Sequence, residues 1–166
     1  MLSWTDLDLT RSPLVRELHA WWMSKRGASG IPDRTDLDPV ALRHMLPNML
    51  ISELEDDPFR IRYRLVGTKV AAVTGFDFTG RYLDELMADG GETPWMKHYA
   101  AIRASRAPLL GSVTEATTNG GRFTYEFGIF PLAVGDADVK QFVSVEDYFG
   151  FHLTSAELDT RPRARD

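Results

Sequence analysis

Cysteine is the first thing missing. The 166-residue chain has none, which removes disulfides, thiolate nucleophiles, cysteine-based zinc sites and iron–sulfur clusters together. Histidine is sparse. His19, His44, His98 and His152 are scattered, with no His-x3-His pair to hold a metal. Positive charge is in deficit, with 19 Lys and Arg against 24 Asp and Glu and a formal net charge of -5, so nucleic acid is not expected as the main partner. No apolar run is long enough to span a bilayer, and the first thirteen residues lack a basic stretch followed by an apolar core. Neither a membrane span nor a signal peptide is expected, and a cytoplasmic location is the default. A nucleophile-elbow glycine pattern, a phosphate-cradling loop and an internal repeat are also missing.

What is present suits a folded domain. Hydrophobic residues at 43% can fill a core, and 26% charge is too little to argue for disorder. The clearest pattern is at residues 59–66. Phe59, Ile61, Tyr63 and Leu65 alternate with Arg60, Arg62 and Arg64, the period of a strand with one face on a core and one in water. The arginine stripe is expected on the solvent side, with Glu53, Glu55, Glu146 and Asp147 as candidate cross-strand partners. Thr68 is placed to cap a short helix over residues 69–74, and Gly75 to end it. Phe76, Phe78 and Gly80 follow as a glycine-marked aromatic loop.

The rest of the chain divides around this stretch. Residues 1–11 carry no clear pattern. Ser12-Pro13 reads as an N-cap with proline at the first helical position, and Leu14, Leu18, Trp21 and Trp22 share one face of the helix that follows, with Val15 beside them. That face can pack on its own domain or serve as a dimer contact, since aromatics are enriched at interfaces. After a glycine- and proline-bearing linker, Asp38-Pro39 is expected to cap a second short helix, with Leu42, Met45 and Leu46 as its apolar side and Pro47 as its stop. Residues 49–55 read as a strand that pairs with 59–66 across the turn at Asp56-Asp57-Pro58. A helical turn over 81–86 ends near Asp89-Gly90-Gly91. Thr93-Pro94 opens a longer helix with Trp95, Tyr99 and Ile102 on one face. Strands at 109–116, 122–130 and 139–149 complete the pattern. Asn119-Gly120 marks a hairpin between the first two, and residues 135–138 form a second turn. From Thr154 the sequence becomes a polar tail. The expected fold is α+β, one antiparallel sheet with helices packed on a face.

Five short motifs occur in order: Pro-x-Arg (Pro32, Arg34), Asp38-Pro39, Leu46-Pro47, Tyr-Arg-Leu-x-Gly-Thr (residues 63–68) and Thr79-Gly80-Arg81. With the strand order, they make the chain from about Trp21 to Tyr148 resemble PAS domains, in particular the short stand-alone PAS proteins of alphaproteobacteria. The resemblance implies five antiparallel strands in spatial order 2-1-5-4-3, with short helices enclosing a small pocket. It divides the chain into an N-terminal helical extension (1–47), a PAS-like domain (48–150) and a tail (151–166). It implies a sensory or regulatory protein that binds a small molecule or a regulatory partner, signals through dimer or partner contacts, and is not an enzyme. Ligand binding would bias two packings of the N-terminal helix on the sheet.

The pocket candidates are Tyr63, Phe76, Phe78, Arg81, Trp95, Tyr99, Tyr125 and Phe127, because such sites are mostly apolar with a few polar handles. Ordinary core packing accounts for the same residues. The dimer-contact candidates are Leu14, Leu18, Trp21 and Trp22. His98 falls on the helix that carries the iron ligand in haem-binding PAS domains, so haem through His98 is an option, though a surface or hydrogen-bonded histidine is the simpler reading. Flavin–thiol chemistry is excluded without cysteine; non-covalent flavin is not. Two rivals stand beside the sensor: a ligand-free interaction adaptor with a filled core, and a small cone-fold enzyme of the ketosteroid-isomerase type, which needs a buried acid at its centre.

Overall fold

The computed structural model describes residues 1–27, 29–86, 94–116, 121–135 and 138–149. Six strands form one antiparallel sheet: β1 (Leu2–Trp4), β2 (Met49–Asp56), β3 (Phe59–Val66), β4 (Leu109–Ala116), β5 (Arg122–Ala133) and β6 (Val139–Asp147). Their spatial order is β1-β4-β5-β6-β2-β3. From β2 onward this is the expected 2-1-5-4-3 order. The addition is β1, in a segment where no pattern was visible. Its residues pair with Leu110, Gly111 and Ser112, so it forms because the edge of β4 offers free backbone groups. Trp4 Nε1 fastens it by donating to Thr10 Oγ1 at 2.9 Å.

Helix α1 (Pro13–Lys25) covers one face of the sheet. Ser12 caps it as expected, accepting the Val15 N–H at 3.1 Å. Val15, Leu18 and Trp22 are buried against the sheet. The Trp22 indole donates to the Pro131 carbonyl at 2.8 Å, and the rings of His19 and Trp22 meet Phe130. Gly128 makes this approach feasible, since a Cβ there would stand 2.7 Å from the Phe130 ring and 3.0 Å from Val15. Two buried carboxylates anchor the helix start. Ser12 Oγ donates to Asp147 at 2.8 Å, while Glu126 accepts the backbone N–H groups of Arg11 and Ser12 at 2.9 and 2.8 Å. Glu126 and Asp147 face each other across β5 and β6.

The opposite face carries α2 (Thr68–Thr74) and α3 (Pro94–Ser105). Gly67, not Thr68, is the N-cap of α2. The chain there runs so close to the preceding turn that a Cβ on Gly67 would lie 2.4 Å from the Leu46 and Pro47 carbonyl oxygens. Gly75 ends the helix at φ +89°.

Two further expectations need correction. Asp38-Pro39 starts no regular helix: residues 39–45 form successive turns that run into a short 3-10 segment, Leu46–Asn48, in which Pro47 lies inside rather than at the stop. Leu42 and Met45 are buried all the same, because turns can deliver apolar side chains as well as a helix can. The arginine stripe is not simply solvated. Residues 80–85 lie against it, with Tyr63 N–H donating to the Arg81 carbonyl at 2.9 Å. Arg60 stacks 3.6 Å from the Tyr82 ring centroid and pairs with Asp84 at 2.7 Å, Arg62 donates to the Gly80 carbonyl, and only Arg64 takes a cross-strand acid, Glu53 at 3.4 Å. Glu146 and Asp147 take no part. The expected turns at 89–91 and 119–120, the Thr93 cap, the tail and His152 lie outside the described residues.

Candidate functional site

Strand alternation assigns the side chains to faces. On β6, Val143, Val145 and Asp147 point to α1, whereas Phe142, Ser144 and Glu146 point to α2 and α3. Register continues the second set across the sheet: Leu50 pairs with Ser144, Ser52 with Phe142 and with Tyr63, and Gly111 with Phe127. Gly111 leaves space for the Phe127 ring, which a Cβ would approach to 2.5 Å.

Two adjoining cavities open on this face. The larger, about 370 Å³, lies between α2 and the ends of β4, β5 and β6. Val70, Val73 and Leu50 supply aliphatic surface, Phe78, Phe123, Tyr125 and Tyr148 supply aromatic surface, and Glu115 and Glu146 supply carboxylates. The smaller, about 40 Å³, runs under α3 beside Trp95, Tyr99, Phe127 and Ser144. Leu50, Tyr63 and Glu146 border both.

Glu146 sits where the cavities meet. It is partly buried and borders both of them. Burial raises its carboxyl pKa to about 7, opposed by the hydrogen bond from the Tyr148 hydroxyl to Oε2 and reinforced by the negative charge of Glu115. Asn48 holds the local backbone by donating to the Glu146 carbonyl at 2.6 Å. The surrounding tyrosines are neutral. Burial raises the pKa of Tyr63, Tyr99, Tyr125 and Tyr148, and the charge of Glu146 adds to each. Ser52 donates to the Tyr99 hydroxyl at 3.3 Å, whereas buried Ser144 Oγ, also near that hydroxyl, makes no hydrogen bond of ordinary geometry among the described residues.

A sequence profile of the PAS domain matches residues 10–145. The chain belongs to the PAS domain family. The matched region includes α1 and the sheet from β2 to most of β6. No curated protein sequence matches the chain. Among solved structures, it is similar to an RNA-binding light-oxygen-voltage receptor (TM-score 0.47, 18% identity), covering 78% of this chain and 38% of that one. It is also similar to the light state of the blue-light photoreceptor Aureochrome1 LOV (TM-score 0.44, 14% identity), covering 72% and 91%. A light-oxygen-voltage domain studied with a flavin analogue is a third (TM-score 0.44, 15% identity), covering 72% and 87%. The chain thus spans well under half of the first of these. At such identities the likeness is one of fold.

Six of the eight pocket candidates of this PAS chain line the cavities. Tyr63, Phe78 and Tyr125 border the larger; Trp95, Tyr99 and Phe127, together with Tyr63, border the smaller. Phe76 and Arg81 do not. Phe76 is exposed and touches the site only through an edge contact to Phe78, and Arg81 turns outward to pair with Glu85 at 3.2 Å. His98 lines neither cavity; it stands at the edge of the Trp95 ring, which gives haem no axial ligand facing the pocket. No described lining residue is cationic, so a flavin phosphate would find no counter-charge there. Neither group fits these residues well, and no group of three metal-ligating side chains occurs among the described residues.

Sequence reasoning missed Glu146, Glu115, Phe123 and Tyr148. A signal for Glu146 existed: the alternation Phe142, Ser144, Glu146 places it on the face of a core aromatic. The adjacent Asp147, and an arginine stripe at residues 60–64 in want of acidic partners, made it look like a surface charge.

Proposed function

We propose that this PAS chain is a cytoplasmic sensory or regulatory module that binds a small molecule in the cavity bordered by Tyr63, Phe78, Tyr125 and Glu146, and signals through α1. One observation carries the reading. Glu146 borders the cavity on one face of β6, and the next residue, Asp147, holds the Ser12 hydroxyl on the other face. A ligand that shifts the end of β6 therefore pulls on the N-cap of α1. The unit is an N-terminal extension (1–47), a ligand-binding sheet (48–150) and a tail (151–166), with α1 as the output element.

In this reading a homodimer or a regulatory protein meets the outer side of α1. Leu18 and Trp22 are occupied in the core of their own protomer, so Leu14 and Trp21, which are only partly buried, are the dimer contacts. Thermal-shift and calorimetric titration over a metabolite library test the binding half. Hydrogen exchange across residues 13–25 and size-exclusion chromatography test the output half. A bound ligand that leaves both α1 exchange and oligomeric state unchanged would refute the signalling route.

An open cavity of this size speaks against the filled-core adaptor. One observation favours the enzyme rival: Glu146 is a partly buried acid of the kind such a site requires, with a carboxyl poised near neutrality beside a tyrosine hydroxyl, suited to general acid–base work. PAS domains are generally sensory, so the sensor reading stands first. Turnover of an enolisable ketone that is abolished by Glu146→Gln would reverse that order.

A further inference from the structure

This inference rests on the ligand-binding reading above and names the ligand's chemistry. The cavity lining is one-sided in charge. Two carboxylates border it, from β4 and β6, and the described lining residues include no lysine, arginine or histidine. Lys69 Nζ on α2 stands 6.0 Å from the Tyr148 ring centroid and is not part of the lining. An anionic ligand would meet the repulsion of two carboxylates there and no cationic lining residue among those described.

The remaining features select among cations. Tyr148 occupies Glu146 Oε2 and leaves Oε1 without a hydrogen-bond donor among the described residues. Ser144 Oγ, in a side chain only 4% exposed, makes no hydrogen bond of ordinary geometry among the described residues, lies close enough to the Tyr99 hydroxyl to act on its pKa, and borders the inner cavity beside Glu146. A buried polar atom without a partner is rare enough in a folded protein to indicate an absent one. Tyr63 brings a third acceptor oxygen to the border of both cavities. Glu146, Ser144 and Tyr63 thus border one small cavity together, and a primary ammonium has three N–H donors to share among such acceptors.

Aromatic faces complete the enclosure. Phe123 stacks on Tyr125 at 6.1 Å between centroids, Tyr125 meets Tyr148 at 5.2 Å, and Tyr63 and Phe78 meet edge-to-face at 4.7 Å on the other side. Aromatic faces attract cations, and Leu50, Val70 and Val73 offer aliphatic surface to a ligand's body. We infer that the cavity takes a primary alkylammonium with a small aromatic or branched apolar body, its ammonium between Glu146, Ser144 and Tyr63 and its body between the aromatic walls and α2.

Affinity should then depend on pH through Glu146. The titratable or charged groups around it are Tyr63 on β3, Lys69 on α2, Tyr99 on α3, Glu115 on β4, Tyr125 on β5 and Tyr148 beyond β6. The four tyrosines, with raised pKa values, stay neutral through pH 8. An ammonium bound at Glu146 favours its ionised form, so binding near pH 6 releases a proton, and affinity rises from pH 6 to pH 8.

The test uses three probes of matched shape: 2-phenylethylamine, 2-phenylethanol and 3-phenylpropionate, titrated calorimetrically in two buffers of different ionisation enthalpy. The amine should bind tightest and the acid weakest, and the amine's heat at pH 6 should report proton release. Glu146→Gln should weaken the amine by about tenfold or more, the usual range for losing a charge-assisted hydrogen bond, and abolish the pH dependence. Tyr125→Leu should weaken it while Tyr125→Phe keeps most of the affinity, with circular dichroism reporting the fold of each variant. If the alcohol or acid binds as well as the amine, or Glu146→Gln binds the amine unchanged, the ammonium assignment is wrong while the sensor reading survives. If none of the three binds and a broad metabolite library also yields nothing, both fall.

Discussion

Replacing Glu146 by glutamine should make the protein more stable at pH 8 and leave its stability at pH 5 almost unchanged. The reason is a proton. Burial lifts the Glu146 carboxyl from an ordinary value of 4.5 to about 7 in the folded chain, whereas in the unfolded chain the group is solvated and keeps the ordinary value. Below about pH 4.5 the group is protonated in both states and contributes no pH-dependent cost. Between the two values the folded state holds the proton and the unfolded state does not, so stability falls as pH rises. Above about 7 both states are ionised and the full cost of the buried charge is present. A separation from 4.5 to about 7 corresponds to roughly 3 kcal/mol. Glutamine has nearly the same shape, its carbonyl oxygen can still accept from Tyr148, and it carries no charge. The assay is urea unfolding of wild type and variant at pH 5, 6, 7 and 8, read as the difference between the two proteins so that every other titrating group cancels. The variant's advantage should grow by roughly 2.5 kcal/mol from pH 5 to pH 8, about 5–10 °C in Tm for a chain of this size. A difference that stays flat from pH 5 to pH 8 would mean that Glu146 is ionised and solvated throughout, and the account of the cavity would fail with it.

Other substitutions probe the rest of the architecture. Ser12→Ala removes both the cap on Val15 and the hydrogen bond to Asp147, and should cost about 2–4 kcal/mol, from roughly one for the cap and the rest for a hydrogen bond to a buried carboxylate; hydrogen exchange should rise first in residues 13–18. Gly67→Ala places a methyl 2.4 Å from two backbone carbonyl oxygens, and because backbone cannot step aside, the loss should be about 3 kcal/mol or more by chemical denaturation. Arg81→Ala should leave ligand affinity unchanged, since the side chain faces Glu85 and solvent rather than the cavity; a tenfold loss in calorimetric titration would place Arg81 in the site after all. Phe130→Ala should cost about 3–5 kcal/mol and loosen α1, whose Trp22 and His19 rest on that ring.

Much of the fold was legible from local pattern. Period-two alternation marked residues 59–66 and 122–130 as strands, Ser12-Pro13 marked the start of α1, and Gly75 marked the end of α2. Each of these signals arises from neighbours in sequence, through sterics or capping. The site was half legible: aromatic positions facing a core are also the ones that face a cavity within it, so six candidates proved to be lining residues. Phe76 and Arg81 do not border the cavities, because their side chains turn outward while Phe78 between them turns in, a path set by contacts with β3 rather than by the local sequence.

Alternation and capping residues thus determined the fold class of this chain from the residues alone, because each is a property of short stretches, and the ordered motifs carried the resemblance to PAS domains that implied the strand order. Only the tertiary structure decided the chemistry of its centre. The edge of β4 recruited β1, residues 80–85 covered much of the arginine stripe, and the packing around the end of β6 drew Glu146 partly out of water. An acid becomes a functional group or a surface charge according to its surroundings, and those surroundings come from strands far apart in the chain.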